Sequence, residues 1–62
     1  NGARRSIYYQ KDIKIGTKLT EKHIVALRPG DGVSVARWNE VLGKKITKTK
    51  NIGERLDWDD FK

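Results

Sequence analysis

The sequence predicts a small, mostly β domain with short helices, built from two similar units around an internal pseudo-twofold axis. Three observations carry this. One phrase is written twice: Ile15-Gly16-x-x-Leu19-x-x-x-x-Ile24 and, 37 residues on, Ile52-Gly53-x-x-Leu56-x-x-x-x-Phe61. Turn formers recur at Gly16, Pro29-Gly30, Asp31-Gly32, Gly43 and Gly53, too closely spaced for long elements. Between the two phrases, one stretch, Ser34 to Leu42, has helical spacing of its apolar residues.

Sixty-two residues make one domain. A chain of this size buries only about 60% of the surface its unfolded form exposes, so its stability is marginal. The absence of Cys excludes disulfides and thiol chemistry, and a single His all but excludes a zinc site. The net charge of +6 invites a nucleic-acid or acidic-surface partner, but the cations are dispersed and Asp57, Asp59 and Asp60 reverse the sign at the C-terminus. Residues 1–3 are expected to be a disordered or cloning-derived start, with the domain over 4–62. No apolar run is long enough to span a membrane.

Ser6 to Gln10 is rich in β-formers, with Ile7 and Tyr9 on one face and Tyr8 and Gln10 on the other, which predicts a short strand. Gly16 supplies a positive φ for the turn that follows. Lys18-Leu19 resumes extended chain, and Thr20, with Glu21 behind it, caps a single helical turn over Glu21 to Ile24. Pro29-Gly30 fits the central positions of a type II turn. Ser34 caps a helix from Val35 to Leu42, with Val35, Trp38, Val41 and Leu42 on its buried face and Arg37 outside, and Gly43 ends it in the left-handed region. Lys45 to Thr49 reads as a short strand with Ile46 inward. In the second copy Gly53 turns the chain, Leu56 enters the core, Asp57 replaces Thr20 as cap, and Phe61 replaces Ile24 as a buried anchor.

No Ser/His/Asp or Cys/His set can be assembled, and no phosphate-binding glycine loop is present, so no catalytic residue is expected. Asp57, Asp59 and Asp60 cap a helix rather than hold a metal. Trp38 belongs to the core by its spacing. Tyr8 and Tyr9 alternate, so one is buried and one exposed. Trp58 packs over the domain edge, His23 lies on a surface helical turn, and Lys44 and Lys45 complement a helix C-terminus.

The ordered set Arg4-Arg5-Ser6, Asp12-Ile13-x-x-Gly16-x-x-Leu19-Thr20, Arg28-Pro29-Gly30-x-Gly32, Trp38-x-x-x-Leu42-Gly43-Lys44 and Gly53-x-x-Leu56-x-x-x-Asp60-Phe61 resembles the antifreeze-like SAF domain of sialic acid synthases, itself related to type III antifreeze protein. The resemblance runs from about Arg4 to Phe61. One departure is Val35, where the family often has Pro at the helix start. The resemblance implies a β-clip fold. It also implies a parent enzyme, a cytoplasmic transferase that condenses phosphoenolpyruvate with N-acetylmannosamine or a related acylated amino sugar. The chemistry would lie in a TIM barrel holding a divalent Mn or Mg ion, with no cofactor in this domain. The domain would serve as C-terminal lid and dimerisation element over the barrel of the homodimer partner. By motif position Arg28 would reach the sugar's acyl-amino group. Read on residues alone, Arg28 is one of 14 cations and a solvated one; the following Pro holds it extended, and its guanidinium offers a rigid fork of donors.

Two other functions fit parts of the sequence. Type III antifreeze proteins share this fold, but their ice-binding faces are flat and mostly uncharged, whereas this chain is 35% charged. A small basic nucleic-acid module fits the net charge but lacks aromatics interleaved along a basic stripe. Neither a membrane nor a nucleic acid is expected as a partner.

Overall fold

The computed structural model describes residues 4–62. The expected disordered start at 1–3 lies outside them. Two short strands, β1 (Ser6–Tyr9) and β2 (Ile24–Leu27), pair antiparallel with Ser6 opposite Leu27 and Tyr9 opposite Ile24. The helical parts are a 3-10 turn at Val35–Arg37, a one-turn helix α1 (Trp38–Val41) and a C-terminal 3-10 turn at Trp58–Phe61. The rest is turns and isolated bridges. A two-stranded antiparallel sheet with short helical turns is therefore what the sequence forms.

Many backbone hydrogen bonds outside the strands come in pairs offset by the 37-residue interval. Gly16 N–H donates to Ile46 at 2.8 Å, and Gly53 donates to Tyr9 at 2.8 Å. Leu19 donates to Lys44, and Leu56 to Ile7, each at 2.9 Å. Ile46 donates to Thr17, and Tyr9 to Glu54, again at 2.9 Å. Ile13 and Lys50 exchange both bonds with one another, at 2.8 and 2.9 Å. The bridges Tyr8–Arg55 and Lys18–Lys45 obey the same exchange. Gly16 and Gly53 take φ of 90° and 91°, the left-handed region in which a Cβ is disfavoured. The core follows this frame: Tyr9 and Ile46, and Leu19 and Leu56, are buried together with Ile7, Ile13, Ile24, Val33 and Val41. Ile15 and Ile52, at equivalent turn positions, are each 64% exposed and take no part in it.

Several local expectations are corrected. Ile24 does not close a helical turn; it opens β2, because its backbone and those of Val25 to Leu27 pair with β1. The preceding turn keeps its cap: Thr20 Oγ accepts from Lys22 N–H at 3.3 Å, and Thr20 C=O accepts from His23 N–H at 3.0 Å. His23 is half-buried in that turn, its Nδ1 accepting from Thr20 N–H at 2.9 Å. The helix expected over Val35 to Leu42 divides into the 3-10 turn and α1. Ser34 does cap it, accepting from Ala36 N–H at 3.1 Å, and Gly43 does end it with φ 88°. Val35 is exposed, and Trp38 and Leu42 are partly buried against a core that Val41 enters fully. Lys45 forms one bridge rather than a strand, although Ile46 is buried as expected. Phe61 only leans on the core; the buried residue of the last turn is Asp60.

Candidate functional site

The chain leaves β2 at Leu27, runs through Arg28 to Gly32, and returns at Val33, which is buried. Val33 C=O accepts from Ile7 N–H at 2.9 Å, and Ser34 bridges to Ser6. β1 is thus flanked by β2 on one edge and by 33–34 on the other, and the loop 28–32 hangs across its end.

Four side chains fix that loop. Ser6, fully buried at the first position of β1, donates its hydroxyl to Pro29 C=O at 2.8 Å. Tyr8, two residues along the same face, donates to Pro29 C=O at 3.3 Å and to Asp31 Oδ1 at 3.1 Å. Arg55, bridged to Tyr8 through the backbone, places Nη1 3.1 Å from Asp31 Oδ2. The two glycines admit close neighbours. A Cβ on Gly30 would lie 2.6 Å from Arg4 Cβ, and one on Gly32 would lie 2.6 Å from Arg55 Cδ. Gly30 has no positive φ, so the expected type II turn is absent. The glycine is required there by the approach of Arg4 rather than by backbone handedness. The Arg28–Pro29 peptide is cis.

Arg28 itself is exposed. Among the described residues its side chain makes no ion pair, and a cavity of about 450 Å³ opens beside it, lined also by Arg5, Ala26 and Leu27. A neighbouring groove of about 500 Å³ lies between Arg4, Arg5 and the segment 34–37. The arrangement is an exposed guanidinium on a hydrogen-bonded root, able to donate several hydrogen bonds to an acceptor brought against this end of the domain.

The other residues of interest lie elsewhere. Asp57 caps the last turn by accepting from Asp59 N–H at 3.2 Å, and Asp60 accepts from Asp57 N–H at 3.0 Å, completing a capping box. Among the described residues no group of three or more His, Cys, Asp or Glu could hold a metal ion. These aspartates are engaged in capping, and the divalent ion implied for the parent finds no seat among them. Tyr9 is buried and Tyr8 half-buried. Trp58 is 40% exposed and stacks edge-on against Phe61, as an edge residue should. Arg37 is exposed and paired with Glu40 at 2.8 Å, a contact that raises its pKa. No described helix is long and apolar enough to cross a membrane. Sequence reasoning singled out Arg28 but not Ser6, Tyr8, Asp31 or Arg55. Strand alternation puts Ser6 and Tyr8 on one side, yet nothing local says that the Arg28 loop folds over that side.

A two-stranded antiparallel sheet with short helical turns, presenting Arg28 on a clamped loop, defines a small single-layer β class of domain. The particular family is SAF: the SAF domain matches residues 4–62, and the chain belongs to that family. It is 39% identical over 57 residues to the pseudaminic acid synthase of Campylobacter jejuni serotype O:2, covering 92% of this chain and 17% of that protein. It is 40% identical over 57 residues to the pseudaminic acid synthase of Helicobacter pylori, with the same 92% and 17% coverage. It is 42% identical over 56 residues to the N,N'-diacetyllegionaminic acid synthase of Campylobacter jejuni, covering 90% of this chain and 17% of that protein. The chain spans about a sixth of the length of these curated relatives, and the SAF domain is thus a minor part of much larger synthases.

Proposed function

We propose that this domain is the C-terminal lid and dimerisation element of a cytoplasmic nonulosonic acid synthase, and that Arg28 contacts the acylated amino sugar bound in the partner subunit's barrel. That barrel would hold the Mn or Mg ion and condense phosphoenolpyruvate with the sugar. The observation that carries the reading is Arg28 itself: exposed, without an ionic partner among the described residues, and rooted in a loop held by Ser6, Tyr8, Asp31 and Arg55. Pre-ordering the root lowers the entropy lost when the guanidinium engages a ligand. A relative named for N,N'-diacetyllegionaminic acid supports a sugar with two N-acyl groups as the substrate class. The reciprocal hydrogen bonds between segments 7–19 and 44–56 support a β-clip with pseudo-twofold symmetry.

The test is kinetic, in the synthase-length protein that carries this domain. A charged donor to a neutral carbonyl in a partly closed site contributes about 1.5–3 kcal/mol. Arg28→Ala should therefore lower kcat/KM for the sugar roughly ten- to a hundredfold, with phosphoenolpyruvate kinetics little changed. Arg28→Lys should recover only part, since an ammonium cannot reproduce the fork. Arg37→Ala, removing an exposed partner of Glu40, should be close to neutral. Sugar kinetics unchanged by Arg28→Ala, with the dimer assembled, would leave the lid a purely structural part.

A further inference from the structure

Ser6 and Leu27 are the last register partners of the β1–β2 ladder. Arg5 and Arg28 are the residues next beyond that last pair, where the ladder has ended and Arg28 stands in a bend. Both line the cavity of about 450 Å³ together with Ala26 and Leu27. A carboxylate between them would pair with both, and the described residues supply none. The ion pairs of the described residues engage Arg37, Lys50, Arg55 and Lys62 among the cations, not Arg5 or Arg28. Asn1, Gly2 and Ala3 bring no carboxylate side chain.

Both roots are nevertheless fixed. Arg5 C=O accepts from Val35 N–H at 3.2 Å, and Arg28 precedes the carbonyl that Ser6 and Tyr8 hold. Two guanidinium forks rooted beside one cavity can each receive one acceptor oxygen from substituents on a single sugar ring.

We infer that Arg5 is a second specificity-determining residue of this site: it donates to the second acyl carbonyl of a doubly N-acylated amino sugar whose first acyl carbonyl is taken by Arg28. The inference rests on the reading of Arg28 given above. It adds to it a basis for preferring two acyl groups over one. With a mono-acylated sugar the Arg5 fork returns to water, which its exposure makes inexpensive. Arg5 therefore rewards the second acyl group rather than rejecting its absence, and the discrimination is moderate.

The experiment compares a diacylated amino sugar with its mono-acylated counterpart as substrates of the synthase-length protein, in the unaltered form and as Arg5→Ala, Arg5→Lys and Arg28→Ala. Arg5→Ala should shift the ratio of kcat/KM values about tenfold toward the mono-acylated sugar, the low end for a hydrogen bond from a charged donor. The change should appear in KM for the diacylated sugar. Arg5→Lys should restore part of the ratio. Arg28→Ala should weaken both sugars. If Arg5→Ala leaves the ratio unmoved while Arg28→Ala weakens both, Arg5 is not a specificity residue and the Arg28 reading stands. If Arg5→Ala weakens both sugars equally, Arg5 seats the domain on the rest of the enzyme, and the inference is again overturned. If Arg28→Ala is also silent, both readings fall.

Discussion

Tyr9 donates its hydroxyl to Asp60 Oδ2 at 2.7 Å, joining β1 to the last turn of the chain across 51 residues. Both side chains are buried. Lys50 completes the cluster, its Nζ 3.3 Å from Asp60 Oδ1 and 5.8 Å from the Tyr9 ring centroid. Asp60 C=O accepts in addition from Thr47 N–H at 2.7 Å and from Thr47 Oγ at 3.0 Å. The C-terminal turn is therefore fastened by polar bonds, since Phe61 itself only leans on the core.

Tyr9→Phe should destabilise the fold by about 1.5–3 kcal/mol, the range for a hydrogen bond to a charged group. Asp60→Ala should cost more, because it leaves the Tyr9 hydroxyl and Lys50 without their partner and removes half of the capping box. Urea denaturation of the two variants checks the order; equal stability of Tyr9→Phe and the unaltered domain would dismiss the cluster as a fastening.

Alkaline pH probes the same cluster. Burial, followed by the hydrogen bond to Asp60 and the nearby carboxylates, pushes the Tyr9 hydroxyl well above its ordinary value of 10.0. Above about pH 10 the unfolded chain releases this proton while the folded chain keeps it, so stability is complete below that pH and falls above it. The slope contributed should approach about 1.4 kcal/mol per pH unit. Lys50 acts in the same direction: burial lowers its pKa, but Asp60 and Glu54 together outweigh burial and raise it. Tyr9→Phe should flatten the alkaline decline without abolishing it, as read from melting temperatures across pH 9–12.

Glycine substitutions separate two kinds of constraint. Gly16 and Gly53 have φ near 90° and nothing within 4 Å of a built Cβ, so Ala at either should cost somewhat more than about 1 kcal/mol through backbone strain alone, and by similar amounts. Gly30→Ala meets Arg4 backbone at 2.9 Å, whereas Gly32→Ala meets only the flexible Arg55 side chain. Thermal melts should therefore rank Gly30→Ala as more damaging than Gly32→Ala.

The clamp on the Arg28 loop makes a different demand. Tyr8→Phe removes hydrogen bonds that are partly exposed, so its effect on global stability should stay below about 1 kcal/mol. Amide exchange in residues 30–32 should nonetheless accelerate. Unchanged exchange there would mean that Ser6 and Arg55 hold the loop without Tyr8.

The parts of the fold that two copies of one phrase encode were legible in the sequence. Gly16 and Gly53 recur because the same backbone conformation is needed twice, and Leu19 and Leu56 because the same core position is filled twice. Caps at Ser34 and Asp57 were legible because they act within two or three residues. Ile24 was not: Thr20 and Glu21 announce a turn, but whether helix or strand follows is settled by β1, far away in the chain. The same holds for Gly30, whose need is set by Arg4, and for the loop clamp, which draws on Ser6, Tyr8 and Arg55. Arg28 was found through the family resemblance, and its want of an ionic partner among the described residues emerged only in three dimensions.

The exchange of hydrogen bonds between segments 7–19 and 44–56 also bears on what a cut in the chain would do. The donors of Gly16 and Leu19 end on Ile46 and Lys44, and those of Gly53 and Leu56 on Tyr9 and Ile7, so each segment meets these needs in the other. Severed within 28–32, the two halves would have to find one another, and folding would depend on their concentration. The intact chain makes that encounter intramolecular, at about millimolar effective concentration. Arg28 lies on the connection itself, which side chains hold in place rather than those backbone bonds.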